Sequence, residues 1–269
     1  MSDKYYLPAI GMLKDAFFYV TGERKNFIAM AALPIIGLSI LGTVLTHLYP
    51  EPLLVINPET QVPSVNMSFI PILIVNTILY VMFAVAWHRK WLVGEADITI
   101  YSALKWDTRK TKFLGRLIQI AGISFGIMIG LNLLISLLPG TGGFMISPFG
   151  TILAFAVLTL TFARLSLLFP AAAVDDNLDL KDCWNLTNGN GWRLGILAIL
   201  PPIPLAFIQI IIQTILFTIL VAINIPTESL VVQLFLHLVQ HSLNYFGIAI
   251  GVSALSMAYQ QFKQFAEQD

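Results

Sequence analysis

Charge is scarce in this chain. Only 11% of its 269 residues are Asp, Glu, Lys or Arg, while 57% are hydrophobic and the mean hydropathy is +0.80. A soluble domain of this size cannot hide that much apolar surface, so a bilayer has to cover it. The 15 bases and 15 acids cancel, which argues against nucleic acid as a partner. A single cysteine, Cys183, excludes an intramolecular disulfide framework. No secretory signal is expected either. Residues 1–26 carry Asp3, Asp15 and Glu23 among their bases and have no small-residue cleavage pattern.

Recognisable chemistry is equally thin. There is no nucleophile–base–acid set, no pair of carboxylates at membrane depth and no nucleotide motif. Gly140-Thr141-Gly142-Gly143 lacks the Gly-Lys-Ser/Thr ending of a phosphate loop. No cofactor is implied, and enzymatic activity is not the leading expectation.

What the chain does have is long apolar runs, six of them, near residues 27–49, 67–87, 117–138, 149–170, 194–223 and 230–259. Each reaches the roughly 20 residues that cross the hydrocarbon as a helix. The class expected is all-α: a polytopic bundle of six transmembrane helices forming one membrane domain over residues 1–269. All 15 Lys and Arg fall at the ends of these runs on one side, and the opposite loops hold only Glu51, Glu59 and Glu228. By the positive-inside rule both termini are cytoplasmic.

The cytoplasmic connections carry amphipathic patterns at residues 5–21, 98–108 and 178–187, which predict interfacial helices. Residues 13–35 and 180–202 also align without a gap, at an offset of 167 from Leu13 to Leu180. Leu13, Lys14, Asp15, Gly22, Ala31, Leu33 and Pro34 fall on Leu180, Lys181, Asp182, Gly189, Ala198, Leu200 and Pro201. A weaker copy starts at Ala103. The pattern suggests three units of helix plus hairpin, over residues 1–90, 96–170 and 176–262.

Polar residues inside the runs are the candidates for a site, because burying them in lipid is costly. Gln209 and Gln213 lie one turn apart on the fifth run. His237, Gln240, His241 and Asn244 share a face of the sixth. They suit interhelical hydrogen bonding, a polar cavity or, less well, a metal site on the two histidines. Equal depth places Gln213 opposite Gln240 or His241. Arg164, Arg193, Trp184 and Trp106 are candidates for the lipid headgroup or interface, with Arg164 free to pair with an acid instead. Asp175, Asp176, Asp179 and Asp182 suit the start of an interfacial helix better than a cation site. Gly122, Gly126 and Gly130 on the third run, and Gly247 and Gly251 on the sixth, are spaced as packing seams. His47 and His88, at opposite ends of spans, look interfacial. Pro201, Pro202 and Pro204 should bend or break the fifth helix.

One block carries a family pattern. Phe162-Ala163-Arg164 leads to Pro170, then Asp175 and the run LKDCWNLTNGNGWRLG, a short helix ending in Leu-Thr-x-Gly before an aromatic-Arg re-entry. It resembles an uncharacterised bacterial six-helix membrane family and the membrane domain fused to some glycerophosphodiester phosphodiesterases. Ala86-Trp87-His88-Arg89 with Gly94-Glu95 is similar to another segment of the same family. The resemblance covers roughly residues 162–200 and implies a helical membrane module. With the chain ending at Asp269, the soluble phosphodiesterase barrel is not expected, and no catalytic residue carries over.

Three functions remain open, in this order. The first is a non-enzymatic module that organises lipid or a membrane protein partner. The second is a transporter or small-solute pathway lined by the polar residues of the fifth and sixth helices. The third is a membrane-embedded lipid-modifying enzyme, with only His237, His241 and Arg164 to offer. The bilayer is the implied partner, and a second copy of the chain is a further candidate.

Overall fold

Lipid offers nothing to hydrogen-bond a bare backbone, so apolar runs of this length have to fold as helices. The computed structural model describes residues 6–49, 54–56, 63–67, 70–94, 103–136, 148–226 and 229–267. Among them lie α1 (Ala9–Gly22), α2 (Arg24–Leu48), α3 (Ile70–Leu92), α4 (Thr108–Ser136), α5 (Pro148–Leu165) and α6 (Leu168–Ala173). They are followed by α7 (Leu180–Leu186), α8 (Gly191–Ile199), α9 (Pro202–Ala222) and α10 (Leu230–Ala266). The protein is an all-α bundle, and among the described residues six stretches are long and apolar enough to cross a membrane. A small antiparallel ribbon lies between α2 and α3, in which β1 (Leu54–Ile56) pairs with β2 (Pro63–Val65).

The third span starts earlier than its apolar run, because Asp107 accepts the Lys110 N–H at 3.0 Å and caps α4. That start leaves only Ala103 and Leu104 helical ahead of α4 in the described part of the third interfacial pattern, and residues 98–102 lie outside the described residues. The other two patterns are helical. α1 is separated from α2 by Glu23, and α7 is capped by Asp179, which accepts from Asp182 N at 2.7 Å. At the offset of 167, Arg24 at the start of α2 falls on Gly191 at the start of α8. The copies differ at the proline. α2 runs through its single Pro34, whereas Pro201-Pro202 ends one helix and starts the next.

α10 is the axis. With 37 residues it is about 55 Å long, well beyond the roughly 30 Å of hydrocarbon, so it projects from the membrane. It packs on α2, α1, α3, α9 and α8, while α4, α5 and α6 form a second group joined to it through α3, α6 and the packing of α5 on α8. α1 is docked rather than floating. Ala9, Met12, Ala16 and Val20 are buried, and the Leu7 N–H reaches Asn190 Oδ1 at 2.9 Å. Ile10, Phe17 and Phe18 stay exposed.

Burial is uneven along the bundle. Residues 81–88 of α3 are buried all the way round, yet its first eleven described residues are not. α10 buries nothing before Tyr245 and nearly everything from there to Tyr259. α9 buries no residue. The helices are therefore tight at the end that carries both termini and splayed at the end that carries the ribbon and the α9–α10 turn. Aromatic rings fill the tight end. Phe83 stacks on Trp87 at 5.8 Å, and Phe27 meets both edge-on.

Candidate functional site

The turn that sets the depth of α10 is a Schellman motif. Ile225 N–H bonds to Leu220 O at 2.9 Å and Asn224 N–H to Val221 O at 3.1 Å, with Asn224 left-handed at φ 56°. The hairpin it makes lays one face of α9 on α10. On the other flank of α10 stands α3. Between them lies a cleft of about 530 Å³. Its polar lining is Asn76 and Tyr80 from α3 with Gln240, His241, Asn244 and Tyr245 from α10. The rest is apolar.

The α8–α9 break forms the far wall. Pro201, Pro202 and Pro204 have no N–H to give to the carbonyls of Leu197, Ala198 and Leu200, four residues back. Ala198 and both Pro201 and Pro202 border the cleft. The wall stands close to residue 247, which is glycine. A Cβ there would come within 2.9 Å of Leu205 Cδ1.

Tyr245 is the anomaly of the cleft. The residue is 2% exposed, its ring packs edge-on against Phe83 at 5.2 Å, and its buried hydroxyl has no hydrogen-bond partner among the described residues. A buried hydroxyl without a partner costs free energy in any apolar surroundings.

The remaining candidates divide. His237 faces away from the cleft, onto Gly42 of α2, where a Cβ would lie 3.4 Å from the imidazole. It stacks with His241 at 6.1 Å between ring centroids. Gln213 borders a separate recess with Leu236, and no hydrogen bond joins it to Gln240 or His241 among the described residues. Gln209 is half-buried on α9. No group of three or more His, Cys, Asp and Glu is gathered for a metal among the described residues.

At the tight end Arg164 caps α7 from outside. Its guanidinium lies 3.6 Å above the Trp184 ring and donates to Trp184 O and to Thr187 Oγ1. A cation at the negative end of a helix is well placed. Arg193 sits over the Tyr6 ring at 4.6 Å, and Trp106 donates to Thr111 Oγ1 at 3.0 Å. Asp175 takes Arg109 and Lys112, and Asp176 takes Lys263 and Tyr259. The Arg109 hydrogen bond holds the Asp175 carboxyl below its usual range. Burial pushes the Asp176 carboxyl up, but Lys263 and Tyr259 outweigh it and leave the group lowered. Cys183 is buried, and burial pushes its thiol up to about 12.

Two expectations need correcting. Gly122, Gly126 and Gly130 form no seam with the described residues, since none of these lies within 4 Å of a Cβ at any of them. Gly251 also has open space, because it faces the cleft. His88 is not interfacial. It is 1% exposed, and its Nδ1 lies 2.7 Å from Ser256 Oγ, while neighbouring Trp87 donates to Ser253 Oγ at 2.8 Å. Sequence reasoning missed this pair of α3–α10 bonds, and also Tyr245. The available signal was Ser253 and Ser256 at i, i+3 on α10.

These features define an all-α polytopic membrane bundle with a cleft between two of its helices. No family model, curated protein or solved structure matches the chain.

Proposed function

We propose that the protein is a non-enzymatic membrane module that organises lipid, seated in a bacterial cytoplasmic membrane with both termini on the cytoplasmic side. The cleft between α3 and α9 carries this reading. It opens at the splayed end, where Asn76 and Asn244 are exposed, and runs toward Val252 and Leu255 at the tight end, with a mostly apolar lining. Such a recess admits a lipid from the side. The gathering of bases at the end with the termini supports the orientation.

Transport of a small solute would use the same Gln240, His241 and Asn244. The packed layer beneath them, residues 81–88 and the aromatic rings around Trp87, speaks against a path through the bundle.

The test is the lipid that travels with the protein. Extraction in polymer-bounded patches of native membrane, followed by mass spectrometry, should find a lipid enriched several-fold over the bulk. The enrichment should vanish in Gly251→Leu, which fills the cleft. A profile equal to the bulk membrane, or solute accumulation in reconstituted vesicles, would sink the proposal.

A further inference from the structure

Away from the cleft, a shallow groove of about 460 Å³ lies where α4, α5 and α7 meet. Ile123 and Ile127 of α4 face Leu165 of α5 across it, and Lys181 and Trp184 of α7 stand at its mouth. Thr161 also borders it, but already gives its hydroxyl to Val157 O at 2.9 Å. The body of the groove is therefore apolar, and its polar groups gather at the α7 end.

The groove has the depth of one leaflet. Arg116 lies on the same face of α4, since Ile123 and Ile127 follow it at i+7 and i+11. Its guanidinium donates to Leu178 O at 3.0 Å, just ahead of α7. From that base to Ile127 is about 16 Å along the helix, close to the roughly 15 Å of hydrocarbon in half a bilayer. The mouth is at the end that carries both termini, where a headgroup sits.

Charge at the mouth is of one sign. Arg116, Lys181 and Arg164, whose guanidinium lies over the Trp184 ring, all stand around α7. Among the described residues none of the three is in an ion pair, although Arg109, Lys112 and Lys263 at the same end all are. The neighbouring acids do not cancel them. Asp175 and Asp176 are held by those other bases, and Asp179 and Asp182 do not border the groove.

The two halves together select the occupant. Three cations and the Trp184 indole N–H offer only donors, so the group at the mouth has to accept and be negative. The apolar channel below calls for a hydrocarbon chain on that same molecule. A soluble anion has no chain, and an uncharged lipid leaves the bases unmatched. We infer that the groove binds an anionic phospholipid of the leaflet on the side of the termini, its phosphate between Arg116 and Lys181 and one acyl chain along Ile123 and Ile127. The Lys181 stem follows the apolar wall while its ammonium reaches the headgroup. Trp184 takes the interfacial depth that indoles favour. This groove is separate from the cleft between α3 and α9, and the inference does not depend on what the cleft holds.

The test uses the full-length protein in detergent, equilibrated with radiolabelled dioleoylphosphatidylglycerol against an excess of dioleoylphosphatidylcholine. Saturable retention of one labelled lipid per chain is expected. Lys181→Gln should weaken it about fivefold, the share of one base near an anionic headgroup. Lys14→Gln removes an exposed base from α1, which packs on α10, α8 and α2, and should change nothing. Equal losses in the two variants would mean a diffuse surface field and overturn the inference. Ile123→Trp, shown by melting to be folded, should abolish retention with every base in place. Unchanged retention in Lys181→Gln overturns the inference, as does phosphatidylcholine held as tightly as phosphatidylglycerol. Displacement by millimolar inorganic phosphate would make this a site for a free anion and overturn it too. Gly251→Leu should leave retention unchanged, and a loss there would place the retained lipid in the cleft instead.

Discussion

Trp87 and His88 sit side by side on α3, and each finds a serine on α10, one turn apart. Ser256 already gives its only hydroxyl hydrogen to Val252 O at 2.8 Å, so His88 Nδ1 is the donor of the second bond. Removing one partner strands a buried donor, which costs more than the bond contributes. Ser253→Ala should lower stability by about 1 kcal/mol, in line with other interhelical hydrogen bonds in membranes. A double-mutant cycle with Trp87→Phe, read by unfolding in detergent, should recover most of that as coupling. His88 beside Arg89 and Lys90 reads in sequence as the end of a span. The bases do reach the membrane surface, but α6 and α10 close over the preceding turn and bury the histidine. Sequence order gives the depth of a residue but not what is packed on it.

The acid–base groups beside them set a second expectation. Asp175 and Asp176 both have lowered carboxyls, from Arg109 in the first case and from Lys263 and Tyr259 against burial in the second. Groups of this sign contribute stability above their unfolded value of about 4 and lose it as pH falls further. The melting temperature should thus be insensitive to these groups between pH 7 and 5 and decline below about pH 4. Asp175→Asn should remove part of that decline. Asp175 and its two bases are more than a third exposed, so added salt should shrink the effect. A decline already complete by pH 5 would rule out this assignment.

Two glycine rows separate at the scale of the helix. Gly126 on α4 has open space around it, whereas Gly247 on α10 lies against Leu205 of α9. Gly247→Leu should force α9 away and destabilise by about 1–3 kcal/mol, the usual cost of overpacking. Gly126→Leu should be neutral or slightly stabilising, since leucine is the better helix former. Thermal melting of the two variants compares them directly, and equal losses would mean that α4 has a neighbour at Gly126. Both rows have the same four-residue spacing. Spacing tells which residues share a face, but not whether another helix lies on it. The same limit applies to the polar face of α10. Its register was legible, and so was the hairpin with α9. That Gln240 and Asn244 share the cleft with Asn76 of α3, while Gln213 borders another recess, depends on how the helices rotate against one another. α7 shows what is gained from context. Its seven residues are too few for an isolated helix, and Arg164 holds them by stacking on Trp184.

The asymmetry of the whole molecule was the most legible feature, because hydropathy and the placement of bases are additive properties of the chain. The spans follow from run length alone, and the break at Pro201 follows from backbone chemistry. The splaying of the far end was not legible, since lipid-facing and helix-facing residues are equally apolar in a bilayer. What remains to be fixed is which face of the membrane carries the bases. The protein is well suited to the measurement, because its only thiol, Cys183, is buried and pushed up to about 12, so it should not react with maleimide at neutral pH. Lys110 is a poor labelling position at 3% exposure, but Lys112 is open, and Ile225 in the α9–α10 turn is 41% exposed. In intact cells, a membrane-impermeant maleimide should label Ile225→Cys at once and Lys112→Cys only after the membrane is opened. Labelling of Lys112→Cys alone in intact cells would invert the orientation. Labelling of both would mean that α4 and the α9–α10 turn are not on opposite faces, against an even number of spans with both termini together.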